Sequence, residues 1–211
     1  MKTENLIELL AKGAGPAPVA VAARRLWPVA VLGVLLSAGL ALSIFGPIAA
    51  PAYGTPALWV KLAYTSALAG TAGWLAARLS RPVARLAWPS LALLVVIAAM
   101  ALLGALSMWA APAGDRLGWL FGRTWRSCPW NVLAISLPVL AGTLGALRGL
   151  APVRPRAAGF ASGLLAGAIG ALGYALACPE VSPTFVAIWY SLGIALTGMF
   201  GAMLGPGVLR W

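Results

Sequence analysis

Six long apolar stretches, residues 27–50, 57–77, 88–111, 129–147, 157–178 and 184–205, take up most of this 211-residue chain. A helix that crosses a bilayer needs roughly 20 mostly apolar residues, and each stretch is close to that length. The breaks between them carry turn-forming punctuation such as "PAYGTP", "RLSRPVARLAWP", "APAGDR" and "LAPVRPR". Only 9% of the residues are charged, against roughly 25% in a soluble domain. Such a chain cannot clothe itself in a water-facing surface. The expected fold is all-α, a polytopic membrane bundle of six transmembrane helices. The first run, Trp27 to Ala50, is too long for the ~7–15-residue core of a signal peptide, so it reads as the first span. Residues 1–26 form the longest polar segment, which divides the chain into this N-terminal piece and a six-helix transmembrane domain over 27–211.

Net charge is +11, which by itself fits a nucleic-acid partner. The basic residues fall mainly in the short gaps, however, where they set orientation, and no soluble basic domain is present to grip nucleic acid directly. Eleven of them alternate onto one side: Lys2, Lys12, Arg24, Arg25, Arg78, Arg81, Arg85, Arg148, Arg154, Arg156 and Arg210. Arg116, Arg123 and Arg126 fall on the other. Both termini are therefore expected in the cytoplasm. Lys61 lies just inside the second span and reads as an anchor whose stem snorkels outward. The segment 112–127 mixes arginine with Leu117, Trp119, Leu120, Phe121 and Trp125, a pattern suited to a short amphipathic piece in the headgroups.

Small residues recur every fourth position in the last two spans: Gly159, Gly163 and Gly167 in one, Gly193, Thr197, Gly201 and Gly205 in the other. Such stripes let backbones approach closely in lipid, and the short connection at 179–183 makes these spans antiparallel neighbours. Pro138 should kink the fourth span.

The two cysteines open and close apolar runs. Cys128 begins span four in "RSCPWN" and Cys178 ends span five in "ACPEVSP", so both are expected at the outer face. Cys128, at a helix N-terminus near Arg123 and Arg126, is expected to be the more reactive thiol, with Cys178 as its resolving partner. The spacing leaves a structural disulfide, two inert thiols and a sensor pair all open. With no histidine in the chain, a closed zinc site is excluded as improbable chemistry, although two thiolates could hold a soft cation.

The same absence removes His-dependent hydrolases, and no carboxylate stands at mid-membrane for proton coupling. No phosphate-cradling glycine loop and no Cys-x-x-Cys is present. The expectation is a protein that is not an enzyme and needs no cofactor. In "MKTENLIELLAKGAG", Asn5 and Glu8 form a capping-box arrangement, and Leu6, Ile7, Leu9 and Leu10 give the helix an apolar side. A helix of about eight residues is unstable alone, so it should order against the membrane surface, the bundle underside or a partner groove.

"MKTENLIELLA", "LWVKLAY", Cys128-Pro129, "YALACPEVSPTFVAIWYSLGIAL" and the closing "LRW" together make the chain resemble, end to end, the NrsF-type negative regulators of extracytoplasmic-function sigma factors. These are six-span proteins of the bacterial inner membrane. The resemblance implies that the cytoplasmic side sequesters such a sigma factor, with contacts from Lys2, Glu4, Leu6, Ile7, Leu9 and Leu10. It also implies that Cys128 and Cys178 match the family's paired cysteines, associated with oxidative or heavy-metal stress. The chain departs from the family at Ala177, where a histidine often precedes the second cysteine, and this favours thiol oxidation over metal chelation. Two other classes fit the span pattern without the resemblance: a small transporter or exporter, and a membrane assembly factor with a structural disulfide.

Overall fold

A computed structural model of the chain describes residues 3–13, 21–81, 85–150 and 152–210. Among these the fold is helical. A short helix α1 (Thr3–Gly13) is followed by α2 (Val21–Phe45), α3 (Pro56–Leu79), α4 (Ala87–Ala110), the single-turn α5 (Arg116–Phe121), α6 (Cys128–Arg148) and α7 (Pro155–Tyr174). The last helix, α8 (Pro183–Val208), is interrupted near its start by one turn of π-helix at Val186–Tyr190. Five of these helices, α2, α4, α6, α7 and α8, are long and apolar enough to cross a membrane. The 24-residue α3 is as long as α4, but Lys61, Tyr64, Thr65, Ser66 and Thr71 make it less apolar.

The boundaries correct the sequence reading at two ends. The first long helix starts at Val21, so Arg24 and Arg25 lie on its opening turns, and it stops at Phe45 rather than Ala50. Gly46 takes φ +76° and its amide reaches back to the Leu42 carbonyl at 3.0 Å, a left-handed helix stop that Pro47 then reinforces. The fifth stretch leaves its helix at Tyr174 instead of Cys178. The next four residues stay in hydrogen-bonded turns, with the Cys178 amide on the Tyr174 carbonyl at 2.9 Å. Pro138 is accommodated within a continuous α6.

The core is organised around α7, which packs against α2, α3, α6 and α8. Its stripe of glycines makes this possible. A Cβ on Gly159 would run into the Gly201 carbonyl oxygen, one on Gly163 into the Thr197 carbonyl oxygen, and one on Gly167 would press on Ile194 Cα at 3.0 Å. Gly201 and Gly205 meet the facing backbone of Gly159 and Pro155 in the same way. Backbone rests on backbone, as the stripes predicted. Gly193 is the exception: it faces Val132 and the Pro129 carbonyl of α6, not α7. Polar side chains join the helices at fixed heights. Ser37 of α2 donates to the Ile169 carbonyl of α7 at 3.1 Å, Tyr64 of α3 and Ser191 of α8 share a 2.6 Å bond, and Thr184 of α8 donates to the Gly104 carbonyl of α4 at 2.8 Å.

The bundle has two chemically different ends. At one, the starts of α2, α4 and α7 meet the finishes of α3, α6 and α8, which gathers Arg24, Arg25, Arg78, Arg81, Arg148, Arg154, Arg156 and Arg210. The Arg25 guanidinium lies directly over Gly149. The other end holds both cysteines and Glu180.

α1 runs from Thr3 to Gly13, longer than the eight residues expected, with Glu4 in its first turn. Asn5 is inside the helix and not its N-cap. Ile7 and Leu10 are exposed. Lys2 and the side chains of Leu6 and Leu9 lie outside the described residues.

Candidate functional site

The end opposite the arginines is built from three chain segments that converge on the cysteines. Cys128 is the first residue of α6, with Pro129 in the position where a missing N–H costs nothing. Its own amide bonds the Thr124 carbonyl at 2.8 Å. Cys178 comes in from the turns after α7. Both side chains are buried and both thiols are free.

Near both stands Lys61. The sequence placed this lysine as a snorkelling anchor; the structure corrects that. Lys61 is only 3% exposed, because α3 turns it inward, and its Nζ donates to the Cys178 carbonyl at 2.8 Å. Cys178, Glu180 and Cys128 all lie within electrostatic range of the ammonium. A buried charge needs such partners to be tolerated. The arginines expected to face Cys128 point elsewhere: the Arg126 guanidinium stacks on the Trp125 ring at 5.0 Å, and Arg123 contributes its backbone amide to Glu180.

Glu180 fixes the connector between α5 and α6. One carboxylate oxygen, Oε1, accepts from the Arg123 amide at 2.7 Å, the Thr124 amide at 3.0 Å and the Thr124 hydroxyl at 3.0 Å. Successive amides curled around an anion form a nest. The nest requires Gly122, whose φ of +55° suits glycine and whose missing Cβ would collide with the Glu180 carboxylate and the Phe185 ring. The segment 112–127 was expected to lie in the headgroups. Leu117, Trp119 and Phe121 are exposed, while Phe121 and Trp125 also make ring contacts with Trp189 of α8. Phe121 and Trp125 have centroids 5.2 Å apart, Trp125 and Trp189 likewise 5.2 Å, and Trp189 Nε1 donates to the Leu120 carbonyl at 2.9 Å.

A tyrosine pair closes the inner side. Tyr174 accepts a bond from Asn131 Nδ2 at 3.2 Å, packs edge-on against Phe45, and stacks obliquely on Tyr190 with centroids 5.9 Å apart. On the outer side, a shallow crevice bounded by Ile48, Thr55, Leu58 and Val181 leads to Lys61, Cys178 and Glu180. Cys178, not Cys128, is the thiol on that path. Among the described residues no group of three or more cysteine, aspartate or glutamate side chains forms a ready-made metal site. Two sulfurs fit a soft cation of low coordination number or sulfur–sulfur bond formation, and do not fit a closed four-ligand centre.

Lys61, Glu180, Gly122 and Tyr190 were not identified from the sequence as parts of one site. Two signals were available. Lys61 is the lone cation inside a span, and Glu180 is one of four acidic residues, two positions from a cysteine.

The family model described as "Negative regulator of sigma F", NrsF, matches residues 10–211. Over full length, the chain is 38% identical across 224 aligned positions to a protein of Azospira oryzae named "Probable anti-sigma-F factor NrsF", with all of both chains covered. It is 43% identical across 219 positions to the "Anti-sigma-F factor NrsF" of Caulobacter vibrioides, again with both chains covered completely. No solved structure matches. With agreement over this much of its length, the chain belongs to the NrsF family, the negative regulators of sigma F.

Proposed function

We propose that this protein is a six-span anti-sigma factor of the bacterial inner membrane, with both termini in the cytoplasm. It sequesters an extracytoplasmic-function sigma factor there and releases it when Cys128 and Cys178 meet an oxidant or a heavy metal outside. In this reading α3 is the sixth span: it matches α4 in length, its Lys61 reaches the Cys178 carbonyl and its Tyr64 bonds Ser191 of α8. The arginine-rich end is the cytoplasmic one. Residues 1–26 supply the main contact with the sigma factor, through Lys2, Glu4, Leu6, Ile7, Leu9 and Leu10.

One observation carries the sensor reading: the hydrogen bond from the buried Lys61 ammonium to the Cys178 carbonyl, with both thiols and Glu180 around it. A cation held on the Cys178 carbonyl, with two thiols and a carboxylate within electrostatic range, registers any change in sulfur charge. The crevice supports an order opposite to that expected from the sequence, with Cys178 meeting the reagent first and Cys128 completing the bond. Oxidation by a peroxide would convert the Cys178 thiol to a sulfenic acid with loss of water. Attack by the Cys128 thiol would then form the disulfide and release a second water.

The test is affinity capture from mild detergent of the full chain and of a chain lacking residues 1–26, with bound proteins identified by mass spectrometry. The reading expects a sigma factor with the full chain and none with the truncation. Retention by both moves the contact to the arginine loops, and a sigma factor with neither overturns the sequestration reading. Replacing either Cys128 or Cys178 by serine should abolish release on oxidant or cadmium treatment while leaving the protein in the membrane; normal release in both variants overturns the sensor role.

A further inference from the structure

The π-helical turn of α8 leaves one buried group without a partner. Tyr190, the last residue of that turn, is fully enclosed. Among the described residues its hydroxyl is the buried side-chain atom that makes no hydrogen bond. An unmet buried hydroxyl costs roughly 1–3 kcal/mol, and such atoms in folded proteins call for an explanation. Phenylalanine would fill the same space without that cost, so packing does not account for a tyrosine here.

Its position does. The Tyr190 hydroxyl lies near the Cys178 thiol and within electrostatic range of both cysteines, but it meets hydrogen-bond geometry with neither sulfur. The π turn explains the aim. One extra residue in a helix rotates the remainder of that helix by about 100°, and such turns concentrate at functional sites. Here consecutive residues are sent to opposite tasks: Trp189 outward to the Leu120 carbonyl, Tyr190 inward beside Tyr174 and Cys178. Tyr174, the other hydroxyl of the pair, has a partner in Asn131, whose Nδ2 donates to it.

A thiol sulfur is a weak acceptor. When a soft cation takes the place of the thiol proton, and that proton passes to water, the sulfur becomes anionic and accepts strongly. We propose that Tyr190 is a positioning residue of the Cys128–Cys178 site, a hydroxyl held in reserve that donates to the Cys178 sulfur once it carries a bound soft cation. This rests on the sensor reading above and adds to the two cysteines a third group, on a different helix. A group unsatisfied at rest and satisfied in the bound state supplies the differential interaction that a two-state switch requires. It also delivers that difference to α8.

The experiment uses the full-length protein, reduced and in detergent, with cadmium as the probe. Cadmium affinity and the metal-free thermal midpoint are measured for the native chain, Tyr190→Phe and Cys178→Ser. The expected result is that Tyr190→Phe keeps or raises the metal-free midpoint while its cadmium affinity falls about tenfold, equivalent to 1.4 kcal/mol. The native chain should also show a tyrosine ultraviolet difference signal on cadmium addition that Tyr190→Phe largely loses. Equal cadmium affinity in the native chain and Tyr190→Phe overturns the role of Tyr190 and leaves the two-cysteine site intact. A lower metal-free midpoint with unchanged affinity marks a purely structural tyrosine and overturns it too. Absence of cadmium binding in the native chain, or binding that Cys178→Ser retains, overturns the site itself and this role with it.

Discussion

α4 and α7 reverse the rule that holds in water. Of the five helices apolar enough to span a membrane, α4 is the most apolar and among the least enclosed, while α7 is the least apolar and by far the most enclosed. In a soluble domain the apolar helix goes inside. In a bilayer the solvent is hydrocarbon, so large apolar side chains such as Leu94, Val95 and Leu102 of α4 face outward, and the interior goes to residues that bring backbones together or bond across helices. α3 extends the trend. It is less apolar still, and it turns Lys61 and Thr65 inward. Low hydropathy in this chain marks a helix with neighbours.

That contrast can be broken most severely at the α7–α8 seam. Gly163→Leu has no room against the Thr197 carbonyl and should lower stability by about 3 kcal/mol, the upper part of the range for overpacking. Thermal unfolding in detergent would show it; an unchanged midpoint would mean that the seam has slack. Lys61→Met comes next. It leaves the Cys178 carbonyl without its donor and Glu180 without its nearby cation, a loss of about 2 kcal/mol. Glu180→Gln keeps the shape of the nest but weakens three charge-assisted bonds at one oxygen, for about 1 kcal/mol, and protease sensitivity of the connector 122–127 should rise with it. Smallest of all, Val95→Leu on the exposed face of α4 should change stability by no more than about 0.5 kcal/mol. A large effect there would mean that the face is covered by protein and not lipid.

Much of the architecture was legible because it depends on composition averaged over long stretches. Span lengths, the alternation of arginine between gaps and the fourfold spacing of glycine all survive small local errors. The helix ends were less legible, because one residue decides them: Gly46 stops α2 short of Ala50, and Val21 rather than Trp27 begins it. Gly193 shows a limit of stripe reading. It has the right period for the α7 seam, but an every-fourth-residue stripe drifts by about 40° per step around a 3.6-residue helix, and at Gly193 it has turned onto Val132 and the Pro129 carbonyl of α6. The site was half legible. The cysteines announced themselves by position, whereas Lys61 depended on which way α3 is rotated, and distance from a span edge says nothing about rotation. Tyr190 was hidden among the aromatic residues of "FVAIWYS", where which ring turns inward depends on the rotation of α8 against its neighbours.

The glycine-lined seam between α7 and α8 has a mechanical consequence. Elements that touch through backbone have no side chains between them to reorient and absorb a displacement, and densely packed matter transmits strain. The two helices therefore behave as a single strut about 30 Å long, the rise of a 20-residue helix. One end of the strut carries Tyr174 and Tyr190, next to the turns that hold Cys178; the other carries Pro155, Arg156 and Gly205. A tilt of this strut at one end is a tilt at the other, with no intervening chain of rotamer changes needed to carry it.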